Sequence, residues 1–147
     1  MADLTADTVH KTYPRAGRVS FTVANGVTLY AGALVGINAG GYLAKWADTA
    51  GHKFAGVLLA GAVGNTSATP PVEGRVDTSG LTIKGATVAS LAVTDVNALV
   101  YCTTDNPADF SLSAGSNTKA VGWVSRYISS GVGDVTLFTP EEHWGLN

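Results

Sequence analysis

Apolar and polar positions alternate in short runs along this chain, and a period of two dominates. Val19, Phe21 and Val23 alternate with Ser20, Thr22 and Ala24, and the run stops at the turn pair Asn25-Gly26. Side chains two apart on a strand share a face, so this is the signature of a half-buried strand ended by a turn. The same reading predicts strands at 28–30, 33–37, 42–46, 54–59, 72–77, 81–84, 87–93, 99–102, 110–112, 121–128 and 134–139. Within 42–46 the alternation puts Tyr42 and Trp46 on one face and Leu43 and Lys45 on the other. Residues 61–72, "GAVGNTSATPPV", read as a surface loop from their Gly, Ser, Thr and Pro content. One helix signal is present: Thr139 as N-cap, Pro140 at the first helical position, then Glu141 and Glu142. With Asn147 closing the sequence, a single turn is the expected extent.

The stretch 33–46, "ALVGINAGGYLAKW", has glycines spaced as in a phosphate-binding loop. Such loops open a helix, whose free amides hold the anion. Here a period-two run follows the glycines, and no Lys-Ser/Thr pair is attached to them. Asn38-Ala39-Gly40-Gly41 is therefore predicted to be a hairpin turn. A second copy supports this reading. Ala33-Leu34-Val35 recurs as Ala98-Leu99-Val100, and Lys53-x-x-Gly56-x-Leu58 as Lys119-x-x-Gly122-x-Val124. Between the copies the glycine turn is replaced by Thr103-Thr104-Asp105-Asn106-Pro107, which is also turn chemistry. A loop whose glycines vanish while its strands persist is architectural.

These patterns predict an all-β fold, a compact β-barrel or sandwich-like domain built from two related strand-turn-strand copies. The expected layout is an N-terminal arm at 1–18, a β domain at 19–139 with copies near 28–60 and 93–128, and a short C-terminal tail at 140–147. Composition narrows the function. Charged residues are 14% of the chain and the net charge is −2, without the clustered Lys and Arg that phosphate contacts require, so no nucleic-acid partner is expected. The single cysteine, Cys102, excludes an internal disulfide and a cysteine-based zinc site; its apolar neighbours predict a buried small hydrophobe. No window approaches the roughly 18 apolar residues of a membrane span, and the N-terminus lacks a signal-peptide core. A soluble protein with no membrane partner is the expectation.

Candidate chemistry is sparse. His10, His52 and His143 sit at no metal or triad spacing, and His143, after two glutamates, reads as part of a solvated tail. No nucleophile elbow is present. Asp105, Asn106 and Asp109 lack the calcium-loop pattern, and Asn65-Thr66-Ser67 matches a glycosylation sequon that matters only in a secreted chain. No catalytic, cofactor-binding or metal-binding residue is assigned, and an enzyme is not expected. Trp46 and Trp123 lie inside the two copies and are expected to anchor the core. Tyr13, Arg15 and Arg18 in the arm and Trp144 in the tail are the residue types that anchor interfaces, and they are the expected partner-binding set.

At "GALVGI…HKFAGVLLAG" and "NALVYC…TKAVGWVSR" the chain resembles phage capsid cement, or decoration, proteins, small all-β proteins of the head exterior. The resemblance covers about 19–139 and rests on strand and turn patterns. It implies a structural virion protein that binds the outer surface of a phage head and stabilises the capsid. The implied partners are the major capsid protein and further copies of itself, as a homotrimer, with no cofactor and no catalysis. The implied location is the capsid exterior, after assembly in the host cytoplasm. The arm before Arg18 and the segment 139–147 depart from the family pattern. Two rivals make opposite demands: a tail-fibre or spike module binding host glycans needs an exposed aromatic platform such as Trp46, and a small hydrolase needs His52 or His143 gathered with an acid.

Overall fold

Short strands satisfy their backbone groups only by pairing, so the order of pairing defines the architecture. The computed structural model describes residues 17–146, the last three by backbone alone. The first half contains β1 (Arg18–Thr22), β2 (Thr28–Leu29), β3 (Leu34–Ile37), β4 (Leu43–Lys45), β5 (Lys53–Leu58), β6 (Ala62–Val63) and β7 (Glu73–Asp77). The second half contains β8 (Thr82–Ala89), β9 (Leu99–Tyr101), β10 (Phe110–Ser111), β11 (Ala120–Ser129) and β12 (Val132–Leu137), followed by α1 (Pro140–Leu146).

The two halves have the same topology. In the first, the strands lie in the order β1-β7-β5-β3-β4; in the second, β8-β12-β11-β9-β10 close into a barrel through a parallel β10–β8 pair. The first half is a five-stranded sheet that curls into an incompletely closed barrel, its edges joined by one isolated parallel bridge between Val23 and Leu43. Registers agree as well as order. Leu34 and Val35 face Val57 and Gly56, and Leu99 and Val100 face Trp123 and Gly122, with a register slip next to each pair. Val23 opposite Leu43 matches Val88 opposite Phe110. The fold is thus all-β and built from two related copies, as the sequence predicted. The correspondence runs outward past 28–60 and 93–128 to include β1 with β8 and β7 with β12.

The copies keep separate cores. Val23, Leu29, Val35, Leu43, Leu58 and Val76 pack in the first barrel. Val88, Val100, Cys102, Phe110, Val124 and Val135 pack in the second, and Leu34, Trp46 and Phe54 reach into that cluster from the first half. Cys102 is a buried small hydrophobe, 2% exposed. Burial pushes its thiol above the ordinary value, which keeps it protonated.

The predicted hairpin forms at 38–41. The Asn38 side chain accepts hydrogen bonds from the Gly40 and Tyr42 amides, and Gly41 adopts φ +87°. Four local expectations change. The strands expected at 81–84 and 87–93 are one strand, β8, because Gly85 at φ +63° forms a bulge whose amide donates to Asp134 Oδ1 at 2.9 Å. Residues 93–95 leave that strand and form a 3-10 turn. The loop at 61–72 contributes β6, which pairs with β2. Finally, Tyr42 and Trp46 do not share a face: Trp46 and Leu43 are both buried, and Tyr42 is exposed. β4 lies between the two cores, so Leu43 fills the first and Trp46, just past the strand end, fills the second.

Candidate functional site

The halves meet where α1 closes the chain. Thr139 caps this helix as the sequence predicted: its Oγ1 accepts the Glu142 amide at 3.3 Å, while its own amide donates to Glu142 Oε1 at 3.1 Å. This reciprocal cap carries the helix to seven residues, beyond the single turn expected. One residue past Glu142, His143 turns into the protein and is 2% exposed. The expectation of a solvated tail fails here, because the capped helix packs on β5 and β11 and directs position 143 between them.

His143 Nδ1 lies 2.8 Å from the Ala120 carbonyl, so that nitrogen carries the proton and donates. Its ring meets Trp46 edge-on, with centroids 5.6 Å apart, and Phe54 at 6.0 Å. Trp46 in turn packs edge-on against Phe54 at 5.4 Å and donates Nε1–H to the Cys102 carbonyl at 2.6 Å. Polar bonds fasten the junction further out. Asp48 Oδ2 accepts the Asn117 amide, the Asp48 carbonyl accepts Asn117 Nδ2, and Lys119 Nζ donates to the His52 carbonyl at 2.6 Å. The junction is an aromatic cluster rimmed by backbone-directed hydrogen bonds.

Both junction histidines titrate below the ordinary imidazole value of 6.5. Burial is the main cause for His143, with Lys119 adding to it and the Ala120 bond opposing it; burial and then Lys119 depress His52. The folded protein therefore holds these rings neutral, while the unfolded chain takes up protons at its higher, ordinary value. Their contribution to stability is complete above about pH 6.5 and is lost as pH falls below that towards the folded values. Thermal unfolding is expected at a lower temperature at pH 5.5 than at pH 7.5, and His143→Gln should shrink that difference. An undiminished difference in the variant would remove His143 from this role.

Beside the junction, an open apolar groove of about 580 Å³ lies between the first barrel and α1. Phe21, Ile37, Phe54, Ala55 and Pro140 line it, together with Lys53 and Glu141. Ala55 belongs to the first core, and Phe21 and Ile37 pack against that core, so the groove opens onto the interior of the first barrel. The period-two pattern marks Phe21 as inward-facing. No local signal brings β1, β3, β5 and α1 to one opening, since their registers around the barrel do that.

The partner-binding residues expected from the sequence are placed as follows. Arg18 opens β1 opposite Asp77 and is exposed. Tyr13 and Arg15 lie outside the described residues, as does the side chain of Trp144, whose backbone is in α1. Of the two predicted core anchors, Trp46 is 1% exposed. Trp123 is only half-buried, stacking on Phe138 at 5.4 Å, because it occupies the position of Val57 on the outward side of β11. Among the described residues, no three His, Cys, Asp or Glu side chains converge as a metal site. No described helix is long and apolar enough to cross a membrane. No protein-family model, curated protein or solved structure matches the chain.

Proposed function

We propose that the protein is a capsid decoration protein, a non-catalytic module that binds the outer face of a phage head as a homotrimer and stabilises the shell. The sequence resemblance at 33–58 and 98–124 suggests this class. The observation that supports it best is the locked junction: two small barrels joined by Trp46, His143 and the Asp48–Asn117 pair form one block that no disulfide staples. Such a block gains further stability from association, because binding to the folded state lowers its free energy, and repeated contacts around a shell multiply the effect. The exposed edge of β1 at Arg18 and the outer side of α1 are the surfaces assigned to the partner. Trp46 is buried and does not supply the exposed aromatic that would have favoured the glycan-binding alternative.

The test is sedimentation of the purified protein with phage heads stripped of their decoration. Saturable co-sedimentation is expected, from a soluble species of three times 15.0 kDa. A monomer that stays in the supernatant at every concentration would refute the proposal.

A further inference from the structure

The duplicated fold supplies its own comparison for the groove. Phe21, Ile37 and Ala55 correspond, at an offset of 65 or 66 residues, to Ala86, Cys102 and Val121 in the second barrel. There the three positions are 5%, 2% and 0% exposed. They share a buried cluster with Trp46, an aromatic supplied from outside that barrel, whose Nε1–H bonds to the Cys102 carbonyl. In the first barrel, Phe21 and Ile37 remain half-buried and face the groove. The described residues include no counterpart of Trp46 at this end.

Strand register shows which segment can supply one. Arg18 lies opposite Asp77, and Asp77 opposite Val57, so these three residues are level across the sheet. The ladder continues one step upstream, where Gly17 O accepts both the Thr78 amide and the Thr78 hydroxyl at 3.0 and 3.1 Å. Because β1 and β5 run the same way on either side of β7, Gly17 comes level with Gly56, one step short of Ala55 at the groove. The described chain thus begins at Gly17, one residue step from Ala55 in the lining of the groove. Tyr13 is four residues from the fixed Gly17, a reach of roughly 13 Å when extended. Tyr13 and Pro14 offer apolar rings for the groove, and Lys11 and Arg15 offer cations to Glu141.

We infer that the segment before β1, led by Tyr13 and Pro14, covers the apolar mouth of the first barrel in its own chain, as Trp46 closes the second. This inference stands on the barrel geometry and is independent of the capsid reading. It turns Tyr13 inward and leaves Arg18 for a partner.

Photo-crosslinking tests it. Tyr13 is replaced by benzoylphenylalanine, a similarly shaped photoreactive aromatic, in the full chain. Equal amounts of ¹⁴N-labelled and ¹⁵N-labelled protein are mixed before irradiation, and crosslinked peptides are mapped by mass spectrometry. Crosslinks to peptides containing Phe21, Ile37, Phe54–Ala55 or Pro140–Glu141 are expected, each purely light or purely heavy. Mixed light–heavy crosslinks would show that a second copy fills the groove and would overturn the assignment. Crosslinks confined to other surfaces, or none, would overturn it equally. Tyr13→Ala should in addition raise binding of an apolar fluorescent dye several-fold while the circular dichroism spectrum is unchanged; unchanged dye binding would count against a covered mouth.

Discussion

Replacing Trp46 with alanine is expected to destabilise the protein by about 3–5 kcal/mol, the usual cost of truncating a fully buried large aromatic. Trp46 is 1% exposed and packs edge-on against both Phe54 and His143. Its loss opens a cavity where the two barrels and α1 meet, and neighbours held by separate sheets have little freedom to collapse into it. It also removes the donor to the Cys102 carbonyl, leaving a buried acceptor unpaired. Against a total stability of about 5–15 kcal/mol for a domain, this is a large fraction. Urea unfolding of Trp46→Ala, Trp46→Phe and Trp123→Ala measures it. The phenylalanine variant, which keeps most of the packing, should lose about 1–3 kcal/mol from the unpaired carbonyl. Trp123→Ala, at a half-buried site, should cost less than Trp46→Ala. A Trp46→Ala midpoint close to the parent would mean that the junction is not packed as described.

The second large effect is expected at Gly56 and Gly122, the paired glycines of the two copies. A Cβ on Gly122 would stand 2.3 Å from the Thr136 carbonyl oxygen, and one on Gly56 would stand 2.1 Å from that of Asp77. Both obstacles are backbone atoms of the neighbouring strand, so a side-chain rotation cannot relieve them. Gly56 also adopts φ +148°, where L side chains are strained. Alanine at either position must push β5 from β7, or β11 from β12, and each change is expected to cost about 3 kcal/mol or more. Gly26→Ala is the control: its φ is +75°, but nothing lies within 4 Å of the added carbon, so only backbone strain remains. Thermal melts should rank both paired glycines well below the control. Equal melting temperatures would contradict the matched registers.

These glycines explain why the duplication was legible in the sequence. Close approach of two backbones excludes every side chain, and the requirement recurs at the same step of each copy, leaving Lys-x-x-Gly in both. The hairpin at 38–41 was legible for a similar local reason, since Asn38 makes its bonds within four residues. What escaped depends on neighbours distant in sequence. His143 looks polar and terminal, and only the docking of α1 on β5 and β11 buries it. The alternation through 42–46 assumes one core and one solvent face, whereas β4 has a core on each side. Gly85 falls in the gap between two predicted strands but serves as a bulge within one, because Asp134, on the partner strand, takes its amide. The groove joins residues from four elements and leaves no periodic trace.

Intact virions provide the most direct test of the proposed role. Gradient-purified particles should contain the protein in a copy number that is a multiple of three, and it should be accessible to antibody or protease on unopened heads. Particles lacking it should release their genome at a lower temperature and regain resistance when the purified protein is added back. Absence of the protein from purified particles, or its presence only at the tail tip, would contradict the capsid-decoration proposal.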